Sequence, residues 1–175
     1  MTAGVDSERA LALLDPSPGL VVLMCGLAGS GKTTFSEQLE AKGFLRLSMD
    51  EEVWNAGRFG LDFPAEDYPK KLDAARTVLR RRLVEALERR TPAVVDSAFW
   101  NRAARDDYKG LVERGGGSWR LIYLEAGPDL LRARLRERSG RFDANAQFEV
   151  TDTMLERFRQ SFETPVGEGE LVVAA

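Results

Sequence analysis

Leu20-Val21-Val22-Leu23-Met24-Cys25-Gly26-Leu27-Ala28-Gly29-Ser30-Gly31-Lys32-Thr33-Thr34 is the stretch on which the reading of this chain turns. Its first six residues are apolar without alternation, the pattern of a strand covered on both faces, as in a parallel sheet packed between helices. Gly26 to Thr33 then fits G-x-x-x-x-G-K-[ST] at every fixed position. A helix from about Lys32 to Lys42 follows, closed by Gly43. The chemistry explains the residue types. Glycines let backbone N–H groups turn inward into a cup for phosphate oxygens, and the helix N-terminus adds partial positive charge. In such a cradle Lys32 bridges the β- and γ-phosphates and the Thr33 hydroxyl ligates Mg²⁺. The candidate phosphate-binding residues are therefore Gly26, Leu27, Ala28, Gly29, Ser30, Gly31, Lys32, Thr33 and Thr34.

Outward from this stretch, apolar runs alternate with helical patterns, the signature of an α/β fold with a parallel sheet. A lead-in helix, Ser7 to Leu14, stops at Asp15-Pro16-Ser17-Pro18-Gly19. Further strands are expected at Phe44–Ser48, Ala93–Asp96 and Trp119–Glu125, with a fifth at Leu171–Val173. Helices are expected at Glu51–Asn55, Lys70–Arg90, Arg102–Arg114, Pro128–Arg138 and Thr151–Phe162. Leu72, Ala75, Leu79, Leu83, Ala86 and Leu87 form one apolar stripe on the longest of these. Pro128 suits the first helical position, and Ser139 to Val150 reads as a loop. The expectation is a three-layer α/β sandwich of about five parallel strands forming one domain over residues 1–175, with a lid at about 128–150.

Composition narrows the chemistry. In 175 residues, 25 basic against 28 acidic side chains leave a net charge of −3, without the basic excess of a dedicated nucleic-acid binder. There is no histidine, so proton transfer falls to a carboxylate, Lys, Tyr or water. The single cysteine, Cys25, rules out an internal disulfide framework and reads as a buried strand-end residue. The longest apolar run, Leu20 to Ala28, is far short of the roughly 20 residues a membrane span needs. Met1 to Asp6 has no basic run of the kind that opens a signal peptide. A cytoplasmic location, with no membrane partner, is the expectation.

In open parallel sheets, ligands gather beyond the carboxyl ends of the strands. Asp50 lies just past the second strand and Asp96 ends the third. Asp96 is the candidate Mg²⁺ carboxylate, beside Thr33; its alternative is a strand-end turn cap. Asp50 suits a general base that takes a proton from an attacking hydroxyl; Ser48 or Asp50 also suits the cap of the next helix. Arg132, Arg134, Arg136, Arg138 and Arg141 crowd one helix and its end. Arg134 and Arg138, four apart, share a face suited to phosphate contacts. Arg132 and Arg136 read as a solvated face paired with Glu137, and Arg80-Arg81-Arg82 as another solvated face.

The strand–loop–helix, Ser48-Met49-Asp50, Val95-Asp96-Ser97 and the arginine-bearing helix resemble the P-loop kinases near polynucleotide 5′-kinase, zeta-toxin and chloramphenicol phosphotransferase, small AAA-type ATP-binding kinases. The resemblance runs from about Leu20 to Phe162. It implies P-loop NTPase topology like that of the nucleoside monophosphate kinases, with ATP and Mg²⁺ as cofactors. It also implies a general base at Asp50 and phosphate-contacting lid arginines at Arg134 and Arg138. Polynucleotide kinases of this kind carry an arginine three residues beyond the base; here that position is Val53, followed by Trp54.

Trp54, Phe59, Phe63 and Tyr68 surround Asp62, Glu66 and Asp67. With Phe99-Trp100-Asn101 they are candidates for an acceptor pocket, suited by its acids to a neutral or cationic molecule. The expected activity is ATP-dependent phosphoryl transfer to a hydroxyl of a small metabolite or natural product. The alternatives are a polynucleotide 5′-hydroxyl kinase and a nucleotide-binding regulator that transfers nothing.

Overall fold

A computed structural model describes residues 4–175; the N-terminal reading above begins on residues 1–3, which lie outside the described residues. In chain order the elements are α1 (Ser7–Ala12), β1 (Leu20–Cys25), α2 (Lys32–Ala41), β2 (Leu45–Ser48) and α3 (Met49–Asn55). A 3₁₀ turn (Ala65–Asp67) leads into α4 (Tyr68–Glu88), followed by β3 (Ala93–Asp96), α5 (Arg102–Arg114) and β4 (Ser118–Glu125). The chain closes with α6 (Pro128–Arg138), α7 (Asp152–Ser161) and β5 (Glu170–Ala174).

The five strands form one sheet in the order β2-β3-β1-β4-β5, with every pairing parallel. All six residues of β1 are buried. Its pleat explains why none is polar: Val21, Leu23 and Cys25 enter a core with α4 and α5, while Leu20, Val22 and Met24 enter a second with α1 and α2. The result is the three-layer α/β fold expected from the sequence.

Local chemistry sets the element ends. Asp6, Ser48, Asn101 and Thr151 each accept the main-chain N–H of the third residue of their helices, from Arg9, Glu51, Ala104 and Met154. Two helices begin earlier than expected. α3 starts at Met49 because Ser48 is its cap, and α4 starts at Tyr68 because Pro69 falls in a first turn that needs no N–H from it. Phe44 leaves the ladder and enters the core beneath α2.

A third, small cluster joins Leu131 and Leu135 of α6 to Leu155 of α7, with Leu27, Ala28 and Val150 packed against it. It seats the two C-terminal helices on the loop after β1. No helix is long and apolar enough to cross a membrane among the described residues.

Candidate active site

Because the strands are parallel, their carboxyl ends share one edge, and the order β2-β3-β1 brings three connections together there. The glycine loop follows β1, Asp50 follows β2, and Asp96 ends β3. A cleft of about 840 Å³ opens at this edge. Ala28, Gly29, Gly31, Lys32, Thr33, Thr34, Asp50, Asp96, Arg134 and Arg138 all line it. Of the remaining loop residues, Gly26 and Ser30 are buried, and Leu27 packs against the α6–α7 cluster.

Two glycines are required by geometry. Gly26 has φ +148° and Gly31 has φ +100°, conformations that side chains rarely adopt. A Cβ on Gly26 would also meet the Leu124 carbonyl oxygen at 2.8 Å. Within the loop they shape, Lys32 Nζ donates to the Leu27 carbonyl at 2.9 Å. Burial pulls the Lys32 ammonium below the ordinary Lys value, while Asp96 and Asp50 oppose that shift. Arg134 lies along the loop's outer side, donating to the carbonyls of Gly29 at 3.3 Å and Ser30 at 3.2 Å. It therefore ties α6 to the loop.

Asp50 sits in the first turn of α3, where Ser48 already does the capping, so its carboxylate is left to the cleft. The protein packed around it, then the nearby Asp96 charge, push its carboxyl above the ordinary Asp range, although the group keeps an open face on the cleft. Lys32, Arg138 and Arg46 pull the other way. Tyr68 stands close enough to Asp50 that burial and this charge push its phenol up to about 12. The Arg138 guanidinium, half-buried in the cleft wall, has no hydrogen bond or ion pair among the described residues; burial lowers its pKa against the pull of Asp50.

Asp96 is buried, and its Oδ2 accepts from Arg46 Nη2 at 2.9 Å. Arg46 also pairs with Glu51. Burial works against the Arg46 charge, but the Asp96 and Glu51 bonds outweigh it and hold its pKa above the ordinary Arg value. Sequence reasoning missed Arg46. The signal was an arginine between two leucines of a strand, standing opposite Val94 and so on the same side of the sheet as Asp96. Among the described residues no group of three or more His, Cys, Asp or Glu side chains gathers as a metal cage. One hydroxyl (Thr33) and one carboxylate (Asp96) on a shared cleft are a donor set for magnesium that takes its other ligands from phosphates and water.

Several sequence expectations are corrected. Neither Arg132 nor Arg136 pairs with Glu137: Arg132 pairs with Asp129 one turn earlier in α6, and Arg136 with Asp152 at the start of α7. Trp54 does not line the cleft and packs edge-on against Phe142, with ring centres 5.2 Å apart. Phe59 and Phe63 join the core instead of a pocket wall. Asp62 and Asp67 are held by Arg58 and Lys70 at the surface, so the acids expected beside an acceptor are absent from the cleft lining. Tyr68, Phe99, Trp100 and Asn101 do line it, joined by Phe148 and Phe158 from the lid side. The Arg80-Arg81-Arg82 run pairs with Asp107, Glu85 and Glu52 at or near the surface. Cys25 is fully buried, and burial pushes its thiol up to about 11.

The AAA domain family model matches residues 21–165, and the chain belongs to that family. A gluconokinase from Sinorhizobium meliloti 1021 is 26% identical, with a TM-score of 0.59 over 90% of this chain and 81% of that one. A sugar kinase from Janibacter sp. HTCC2649 is 19% identical, with a TM-score of 0.53 over 89% and 84%. Kti12 from Chaetomium thermophilum, in complex with ADP-AlF3, is 15% identical, with a TM-score of 0.59 over 88% of each chain. The last two likenesses are of fold. The chain thus has the fold of P-loop kinases, close to those of a gluconokinase and a sugar kinase.

Proposed function

We propose that this member of the AAA domain family is an ATP-dependent kinase that phosphorylates a hydroxyl of a small molecule. The observation that carries the reading is the convergence, in one cleft, of the glycine loop, two carboxylates from adjacent strand ends and an arginine whose side chain has no partner among the described residues. The gluconokinase and sugar kinase among the similar structures support a small hydroxylated acceptor. Val53 supports it as well: at the position where a polynucleotide kinase would present an arginine, it is fully buried in the core beneath α3.

In this reading the loop amides and Lys32 hold the β- and γ-phosphates of ATP. The acceptor oxygen attacks the γ-phosphorus, forming one O–P bond as the bond to the β-phosphate oxygen breaks and ADP leaves. Asp50 takes the proton of the attacking hydroxyl, and its raised pKa suits a base working nearer neutral pH. Arg138 meets the charge on the moving phosphoryl group, and Arg134 keeps α6 seated on the loop. Thr33 and Asp96 are the residues that would hold Mg²⁺, which supplies charge neutralisation at the phosphate oxygens. Arg46 fixes the Asp96 carboxylate. The location that suits such an enzyme is the cytoplasm, where ATP is abundant.

The test is transfer of labelled γ-phosphate from ATP to a metabolite extract and, in parallel, to a 5′-hydroxyl oligonucleotide, with Asp50→Asn as control. Label on an extract component, reduced about 10²–10⁴-fold in the variant, is the expected result. Asp50-dependent label on the oligonucleotide would replace the small acceptor with a nucleic acid. ATP hydrolysis that is insensitive to Asp50→Asn, with no labelled product, would refute transfer.

A further inference from the structure

In the loop after α6 two side-chain oxygens are buried without a partner among the described residues, and both belong to residues lining the cleft: Asn145 Oδ1 and Gln147 Oε1. Gln147 is the better defined, at 6% exposed. Its Nε2 donates to the main-chain oxygens of Asp50 and Ala144, each at 3.0 Å. Those two bonds use both amide protons and fix the amide's orientation, since turning it over would set an oxygen against two carbonyl oxygens. Oε1 is therefore held as an unfilled acceptor one amide away from the backbone of Asp50. A buried acceptor with no donor is costly, and native proteins keep few of them.

We propose that Gln147 is the specificity-determining residue for the acceptor: its Oε1 accepts a hydrogen bond from a second hydroxyl of a polyol whose first hydroxyl faces Asp50. The inference rests on the kinase reading and deepens it by naming the acceptor class. One side chain then does two things. Nε2 sets where the Asp50 backbone stands, and Oε1 reads the molecule placed against it, so base and reader keep a fixed spacing. Asn145 Oδ1, two residues earlier in the same loop, offers a further acceptor to the same hydroxylated edge. Tyr68, Trp100 and Phe148 in the same cleft give ring surfaces for the C–H face of such a molecule. A single alcohol leaves Oε1 empty, and a site built to bond a hydroxyl discriminates against ligands lacking it.

Binding is tested apart from turnover. Saturation-transfer NMR compares erythritol with butan-1-ol, four-carbon probes that differ in hydroxyl number, on the wild-type chain and on Gln147→Leu. Binding of a fluorescent ATP analogue checks that the variant keeps its phosphate loop. Erythritol should bind the wild type about tenfold more tightly than butan-1-ol, the margin of one well-made hydrogen bond, and Gln147→Leu should erase that margin. Equal binding of the two alcohols to the wild type overturns the proposal whether or not the variant folds. An erythritol margin that survives in Gln147→Leu overturns it too, and is the outcome if Oε1 merely holds a water. Asp50-dependent phosphoryl transfer to an acceptor with one hydroxyl removes this inference and leaves the kinase standing. Polyol discrimination that depends on Gln147, without transfer to any acceptor, removes the kinase and leaves the binding site.

Discussion

At the scale of single residues, Asp50 carries the clearest consequence. Its carboxyl lies above the ordinary Asp value of 3.8 because the surrounding protein and the Asp96 charge disfavour the ionised form. A base works only when ionised, so kcat/KM should rise with pH along a limb centred above 3.8. Arg138 favours the charged form of Asp50. Arg138→Gln should therefore move that limb to still higher pH, alongside a fall in kcat of about 10²-fold. A limb that stays put or moves down in the variant would mean that another group is titrating. The field at Asp50 is also shaped by Arg46, whose guanidinium holds Asp96. Residue identity alone could not place that arginine at the site, because the contact needs β2 and β3 to lie side by side in register.

At the scale of elements, the glycine loop and the α6–α7 pair make separable predictions. Gly31→Ala meets only an ordinary van der Waals contact, Arg134 Nη1 at 3.6 Å, so its cost is conformational, about 1–3 kcal/mol at φ +100°. Gly26→Ala adds a collision with a backbone oxygen at 2.8 Å and should cost more. Urea denaturation of the two variants checks the order, and the reverse order would contradict the loop geometry. α6 and α7 rest on a core of three buried leucines, far smaller than either core of the sheet. Amides of α6 and α7 should then exchange with solvent faster than those of β1, and Leu135→Ala should widen that gap about tenfold or more while leaving β1 nearly unchanged. Uniform loss of protection would mean that the lid and sheet unfold as one unit.

Across the whole molecule, one buried ion pair joins distant parts of the chain. Arg105, fully buried in α5, grips Glu168 through two bonds of 2.7 and 2.6 Å. It also donates to the carbonyls of Phe99 and Glu163, at 3.0 and 2.8 Å. Phe99 is held at φ +47°, beside Trp100 in the cleft wall, so the pair braces the site as well as the C-terminal segment. Arg105→Met leaves the buried Glu168 carboxylate with only Lys109 Nζ, at 3.5 Å, and should cost about 3 kcal/mol in denaturation. Adding Glu168→Leu should return part of that loss, since the Arg105–Glu168 charges are then gone while Lys109 keeps Asp106 and the residue-168 carbonyl; no recovery would mean that the carbonyl contacts dominate. The arginine bond, against burial, holds Glu168 below the ordinary Glu value of 4.5. Its contribution is complete above about 4.5 and is lost as pH falls through the lowered folded value. The double variant should show a shallower acid slope.

The sequence by itself determined the features that arise within a few residues of one another. The unbroken apolar run of β1, the glycine spacing of the loop and the alternation of strands with helices were all legible, because each is a local pattern imposed by one element's own geometry. So was the position of Asp50 and Asp96 at strand ends, which follows once the strands are parallel. What only the tertiary structure decided are the contacts made across long separations. Gln147 reaches Asp50 over 97 residues, Arg105 reaches Glu168 over 63, and Arg46 reaches Asp96 over 50. The aromatic wall depended on it too: Trp54 looked like a pocket residue and packs on Phe142, while Phe148, inside what reads as a plain loop, lines the cleft. Such pairings leave no period in the chain. They are chosen by which surfaces the sheet order brings together, and the order β2-β3-β1-β4-β5 is a property of the folded whole.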